Sequence, residues 1–453
     1  MVFLTIETDK TYIHGYAIRR LVIMYDTAIV GGGIAGLYTA YRILCAHPHT
    51  HLLLLEKNAT LGGRIDTHTD AWMSVEAGAG RFARHHRRLI QLIHEMGLTS
   101  HIQPIEGHSV YVSSSGSPPP PYTLQDVWRW IKQIHLRSQS ESIHVLQNSV
   151  FLDYAQRILK DESKTAFLLD SFGYSTELVV MNAFDALPIL LGMSPHTRYY
   201  TLRGGLSQLV ERLVAKIRAF PHVRVVCKQE LVSASLDPAD PEVTRLVCRS
   251  PHTGSGVLRT YRAHHAVFAL TQPALVKLAC FRPIRPLLDQ VTCRSLCRIY
   301  SVFPPDPKTG RVWFHGKPKM TTNGDLRMII PIDYDKGIVM TSYTDNAFAD
   351  RWNRVRQVDA KLVKEIETLV GEPVPKPLHT RVFYWKCGVG YWAVGANSRE
   401  TSRRMIHPFP DLPWYICGEN FSEKNQQWIE GALETSESVV KQWSRATKTM
   451  HKN

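Results

Sequence analysis

The stretch Ile29-Val30-Gly31-Gly32-Gly33-Ile34-Ala35-Gly36 constrains this chain more than any other. The apolar run Ala28-Ile29-Val30 reads as a buried parallel strand that Gly31 ends in a tight turn. Gly33 lets a backbone approach a pyrophosphate, and Gly36 lets the next helix pack closely on the strand. Leu37 to Leu44 reads as that helix, with the amides at its start, around Ile34 and Ala35, facing the phosphates. A second strand, Leu52 to Leu55, ends in Glu56, 20 residues after Gly36. An acid there accepts hydrogen bonds from ribose hydroxyls and repels a 2′-phosphate. Strand, glycine turn, helix, strand and acid in this order predict an α/β, Rossmann-like dinucleotide-binding unit.

At 453 residues the chain exceeds one ordinary core, so two domains are expected. No apolar stretch approaches the roughly 20 residues of a membrane span. Residues 1–23 carry Glu7, Asp9 and Lys10 where a secretory signal would be apolar. They read as an N-terminal extension, disordered or the product of start-site choice, with Met24 directly before the first strand. The eight cysteines, Cys45, Cys227, Cys248, Cys280, Cys293, Cys297, Cys387 and Cys417, fit neither a disulfide framework nor a zinc site. Reduced thiols in a soluble, cytoplasmic protein are the expectation. The net charge of +14 favours acidic partners. The nearest thing to a basic run, Arg81, Arg84, His85, His86, Arg87 and Arg88, reads as a solvated helix face. With no zinc finger or aromatic-basic motif, no specific nucleic acid is expected. His47, His49 and His51 lie in a short loop, and no metal site is expected there.

Further blocks follow: Gly62-Gly63-Arg64, Glu76-Ala77-Gly78-Ala79-Gly80-Arg81-Phe82, and Arg203-Gly204-Gly205-Leu206-Ser207-Gln208-Leu209. Val223 to Val232, His265 to Leu270 with Pro273, and Gly418-Glu419-Asn420 with Trp428-Ile429-Glu430-Gly431-Ala432-Leu433 complete them. With these blocks the chain resembles the flavin amine oxidase family, over residues 25 to 440. That family includes monoamine, polyamine and L-amino-acid oxidases, with protoporphyrinogen oxidase and phytoene desaturase more distant. The resemblance implies FAD, held by Gly31, Gly33, Ile34, Ala35, Gly36 and Glu56. It adds Gly63 and Arg64 near the phosphates, Gly80 and Arg81 under the flavin ring, and Val232 near the adenine. Gly418 and Glu419 would meet the ribityl chain or ribose, with Ile429 beside the cofactor. Relatives that bind flavin covalently have a cysteine directly before the residue matching Tyr391. Gly390 stands there and Cys387 is three residues too early, so non-covalent FAD is expected.

The implied architecture is a discontinuous FAD-binding domain (24–82, 200–285 and 400–453) and an α+β substrate domain (83–199 and 286–399) with a mixed sheet and a helical insert. Residues 83–98 read as a helix stopped by Gly97, Ser113 to Pro121 as a loop, and 124–195 as largely helical. Arg298 to Phe303, Arg311 to Phe314, Met328 to Ile332 and Ile338 to Tyr343 read as strands, and 357–370 as a helix. Residues 411–445 close the FAD domain.

For amine oxidation the flavin does the hard step, and the protein positions and desolvates a neutral amine. Tyr391 and Trp428 resemble the family's facing aromatic walls; the competing reading is two core aromatics. Arg298 stands where many relatives have a lysine near the flavin. It keeps a donor and a charge but does not lose its proton. It would bind a substrate carboxylate or turn outward. Arg81 resembles the carboxylate clamp of L-amino-acid oxidases, or else pairs with a cofactor phosphate or a surface acid. The expected partners are a small amine or amino acid and O2 as acceptor, with the choice between polyamine and amino acid open. An enzyme acting on an apolar substrate in the manner of a desaturase or porphyrinogen oxidase, and a non-enzymatic FAD-binding protein, are the alternatives. The sequence does not reveal the oligomeric state.

Overall fold

Two strands with apolar residues on both faces start the main sheet. Leu52–Leu55 is buried throughout, and Met24–Val30 is buried from Thr27 onward; such strands belong inside a parallel sheet covered on both sides. The structure, a computed structural model, describes residues 8–13, 16–21, 23–105, 108–114, 121–251 and 257–450. Its seven-stranded sheet runs Val223–Val226, Leu52–Leu55, Met24–Val30, Leu258–Phe268, Asp240–Arg249, Glu230–Asp237, with Trp414–Ile416 also on Leu258–Phe268. Leu258–Phe268 forks it. Its first half pairs antiparallel with Asp240–Arg249, and its last three residues pair parallel with Trp414–Ile416. The helix Ile34–Ala46 packs with Ile429–Met450 and Ser207–Arg218 on this sheet.

A second sheet is mixed. Its order is His379–Trp392, Val291–Val302, Ile338–Asp345, Met328–Asp333, Lys319–Thr321, Ser109–Tyr111, antiparallel except at the last pair. Helices between Leu124 and Gly192 form the insert, whose buried face includes Ile131, Phe151, Leu168 and Leu190. The α/β sheet with a mixed-sheet partner and helical insert follows the expected class. A third sheet of Phe82–Ala83, Tyr199–Leu202 and Ile102–Ile105 straddles the expected boundaries at 82/83 and 199/200.

Several local expectations are corrected. Residues 8–13 and 16–21, expected in a disordered extension, pair as antiparallel strands, while 1–7, 14, 15 and 22 lie outside the described residues. Of the loop at Ser113 to Pro121, residues 115–120 lie outside them too. The helix expected over 83–98 spans only Arg87–Glu95, because Phe82–Ala83 is drawn into the third sheet; Gly97, at φ +71°, follows it as expected. Arg311 to Phe314 is a turn. The Asp306 carboxylate accepts the Lys308 and Thr309 amides, Gly310 supplies φ +68°, and Val312 and Phe314 are buried as anchors. Cys293 and Cys387, expected as thiols, form a disulfide, because antiparallel pairing of their strands brings the Cα atoms to 5.1 Å.

Asp345, fully buried at the end of its strand, ties sheet to insert. It accepts from the backbone N–H and hydroxyl of both Ser175 and Thr176. Asp345→Ala leaves four buried donors without their acceptor. The expected cost is about 3 kcal/mol or more, read as a lower urea midpoint; an unchanged midpoint would refute this anchoring role.

Candidate active site

The glycine turn is held by close backbone approaches. Gly31 sits at φ +111°, and a Cβ there would strike the Ala269 carbonyl. A Cβ at Gly36 would strike the Gly31 carbonyl. The helix Ile34–Ala46 starts at Gly33 with no side-chain cap and no acid in its first turn. Its leading amides are therefore left for an anion. Gly62 and Gly63 wall the turn: Gly62 N donates to Gly32 O at 2.9 Å, and a Cβ on Gly63 would lie 3.1 Å from Gly33 Cα. The buried Glu56 carboxylate accepts from Gly32 N and Asn58 N, each at 2.8 Å, and each oxygen keeps a lone pair.

Arg64 joins this turn to the chain's far end. Its Nη1 donates to Gly388 O at 2.7 Å and to Glu419 Oε1 at 2.6 Å. Glu419 Oε2 accepts from Gln427 N at 2.9 Å, and Gly418 N donates to Thr435 Oγ1. Gln427 carries φ +73°, and its Nε2 is buried without a partner; this strain and orphan donor lie beside Trp428 and the buried Ile429. A turn without side chains, free amides, a buried acid and an unpaired amide together fit a dinucleotide cofactor. Val232 is not brought to this turn. It sits on a bulge, 41 % exposed, while Gln229, three residues earlier and buried, donates its N–H to Glu56 O at 2.8 Å.

From Gly80 outward the side chains change to arginine and tyrosine. Arg298 is buried, not turned outward. Its Nη1 donates to Glu76 O and its Nη2 to Tyr343 Oη, both at 3.0 Å, and Tyr300 Oη also donates to Glu76 O. A Cβ on Gly80 would lie 2.9 Å from Arg298 Nη1, so glycine makes the space. Tyr343 meets Tyr174 edge-on at 5.2 Å, and Tyr174 Oη accepts from Arg81 Nη2 at 3.3 Å. Arg81 lies 4.3 Å from the Tyr199 ring centre, and Tyr199 stacks on Trp428 at 6.0 Å. The result is a ladder, Arg298–Tyr343–Tyr174–Arg81–Tyr199–Trp428, in which aromatic faces and hydroxyls receive both guanidiniums. Neither arginine meets a carboxylate within ion-pair distance among the described residues. Arg81 is thus not the surface salt bridge of its alternative reading. Burial raises the Tyr343 phenol, but Arg298 and Arg81 outweigh it and hold its pKa below the ordinary value. Burial and the Arg81 charge lower Lys319 to about 7.

Tyr391 and Trp428 are placed differently. Tyr391 is 2 % exposed, packed in the insert's core, with its hydroxyl beside Thr176. Trp428 is half-buried against His86 and Tyr199, and no ring contact joins it to Tyr391 among the described residues. The expected solvated face around Arg81 to Arg88 holds for Arg84, His85 and Arg87, which are exposed, and is corrected for the rest. Arg81 and His86 turn inward, and Arg88 binds Glu430 and Glu437. His86, 1 % exposed, accepts from Ala83 N, and burial pushes it down to about 3. Sequence reading missed Tyr174, Tyr199, Tyr343, Lys319 and Glu177. Tyr174 follows Gly173, which ends the Glu162–Phe172 helix at φ +90°, but none of the five stands at a diagnostic spacing. Glu177 is buried with an unpaired Oε2, and burial followed by the Asp345 charge raises it to about 8.

The chain resembles several solved structures. A putrescine oxidase bound to putrescine superposes with a TM-score of 0.72 at 14 % identity, covering 93 % of this chain and 99 % of the other. A cofactor-site double mutant of putrescine oxidase gives 0.73 at 14 %, covering 94 % and 100 %. A candidate protoporphyrinogen oxidase from Exiguobacterium sp. 255-15 gives 0.68 at 16 %, covering 92 % and 98 %. At such identities these likenesses speak for the fold. Residues 34–442 match the flavin containing amine oxidoreductase family; the match begins directly after Gly33 of the glycine turn and includes Glu56, Arg64 and Glu419. The chain therefore belongs to the flavin containing amine oxidoreductases, flavin-dependent oxidoreductases of mixed α/β fold.

Proposed function

We propose that this protein binds FAD non-covalently and oxidises an amino acid, or another amine bearing a carboxylate, to the imine, with O2 as the final acceptor and H2O2 as product. One observation carries the substrate class: Arg81 sits among Tyr174, Tyr199 and Trp428 with no carboxylate within ion-pair distance among the described residues. A guanidinium held in this way offers two parallel donors to a substrate carboxylate. The same positive charge disfavours a dicationic polyamine. FAD supplies the hydride acceptor. Gly31, Gly33, Ile34, Ala35, Gly36 and Gly63 would line its pyrophosphate, Glu56 its ribose, and Arg64, Gly418, Glu419 and Ile429 the far side. Trp428, half-buried beside Arg81 and Tyr199, would exclude water around the reacting carbon. Non-covalent binding is supported at Gly390, which supplies no thiol and where a Cβ would press on Asn420. A second reading, oxidation of a larger apolar substrate, rests on the likeness to the candidate protoporphyrinogen oxidase, since carboxylates of such a molecule would also suit Arg81.

Three outcomes follow. Anaerobic addition of amino acids should bleach the flavin spectrum while diamines leave it yellow; bleaching by diamines alone would defeat the substrate class. Arg81→Ala should raise KM for an amino acid by about 10-fold or more and leave KM for a simple amine nearly unchanged. An equal rise for both would remove the clamp. Denaturation should release all flavin into solution, and a flavin mass retained on the chain would contradict non-covalent binding.

A further inference from the structure

Arg298 and Arg81 place two permanent positive charges in the interior, linked through Tyr343 and Tyr174. Two buried like charges without an acid are costly, and the local way to reduce that cost is to ionise a group between them. Tyr343 is that group. Its oxygen accepts from Arg298 Nη2 at 3.0 Å, and its ring meets Tyr174, which receives Arg81.

We propose that Tyr343 stands as a phenolate between Arg298 and Arg81, and that its oxygen takes the proton from the substrate's ammonium group before oxidation. The transfer role rests on the amine reading of the site; the ionised state does not. In the step, one N–H bond breaks and its electron pair stays on nitrogen as the amine lone pair. The proton forms the Tyr343 O–H bond, and the total charge is conserved.

The surrounding groups leave the compensating negative charge to Tyr343. Asp345, two residues on, is engaged by the Ser175 and Thr176 donors. Glu177 is held protonated at neutral pH by burial, at about 8. The Glu76 carboxyl accepts from Leu206 N and Thr67 Oγ1. Tyr300 spends its hydroxyl proton on Glu76 O, and burial raises Tyr174 well above the ordinary phenol value. Tyr199 is raised by burial too. Lys319 is a cation or neutral and adds no negative charge. Arg298 and Arg81 are raised, their tyrosine neighbours outweighing burial, and stay charged. Because the two arginines favour the deprotonated phenol, Tyr343 ionises at lower pH than a free tyrosine and stays ionised as pH rises.

The test takes the holoenzyme and Tyr343→Phe through an ultraviolet pH titration, followed by anaerobic flavin reduction with an amino acid. The wild-type difference spectrum should show one tyrosinate forming at a pH below the value of about 10 of an ordinary tyrosine, and Tyr343→Phe should lack it. At pH 7 reduction should be about 100-fold slower in Tyr343→Phe. The deficit should close above the substrate's own amine pKa, about 10, where the amine arrives neutral. Should that variant fail to fold, Arg298→Met should move the tyrosinate step upward by at least about one pH unit. Absence of the step in wild type, or no movement in Arg298→Met, overturns the phenolate. A deficit equal at every pH overturns the proton transfer and marks a structural role. A tyrosinate in a holoenzyme that no amine reduces overturns the amine reading and the transfer role with it, a failure separable from the other two.

Discussion

The site depends first on Arg64. The chain leaves the glycine-turn sheet twice, and the returning ends must meet the turn within hydrogen-bond reach. Arg64 makes both junctions with one nitrogen, to Gly388 O on the His379–Trp392 strand and to Glu419 after Trp414–Ile416. Its own carbonyl accepts from Ala79 N, and Gly78 must lack a side chain for that carbonyl to fit. Trp385 Nε1 donates to Ala77 O beside it. Segments more than 300 residues apart are thus fixed around one guanidinium. An arginine suits this because its donors are rigidly spread, and the Glu419 carboxylate it meets is buried and otherwise engaged by Gln427 N.

Beyond this junction the electrostatics reverse. Around Arg64 a carboxylate answers the cation; around Arg81 and Arg298 rings and hydroxyls do. Cation–π contacts soften the loss of hydration but leave the charge unneutralised. The interior past Gly80 therefore keeps a positive field, which an entering carboxylate or an ionised phenol relieves. The buried acids nearby do not supply that relief: Asp345 is committed to the insert, and burial keeps Glu177 protonated at neutral pH.

What the sequence made legible was what the backbone demands locally. The glycine turn, Leu52–Leu55 and Glu56 are specified by consecutive residues, because close approach and a positive φ tolerate no substitute. The ladder was not legible beyond Arg81, Arg298 and Trp428. Tyr174, Tyr199 and Tyr343 come from a loop and two different sheets, and nothing in their neighbours distinguishes them from core tyrosines. Val232 sits at a bulge and is exposed, while the residue that meets Glu56 is Gln229, ahead of that bulge. The Cys293–Cys387 disulfide spans 94 residues and shows only once the two strands are paired.

Gly80 and Arg298 show how a motif residue and a departure from a motif are one feature. A lysine ammonium is a single point of donation, whereas Arg298 spans two acceptors, Glu76 O and Tyr343 Oη, with its planar head. That head occupies the space a side chain at 80 would take. Glycine at 80 therefore leaves room for arginine at 298 in this position, and that arginine connects the Glu76 carbonyl to a titratable hydroxyl. The replacement does not empty the position of chemistry. It moves the ionising group from the side chain at 298 to the phenol that this side chain holds.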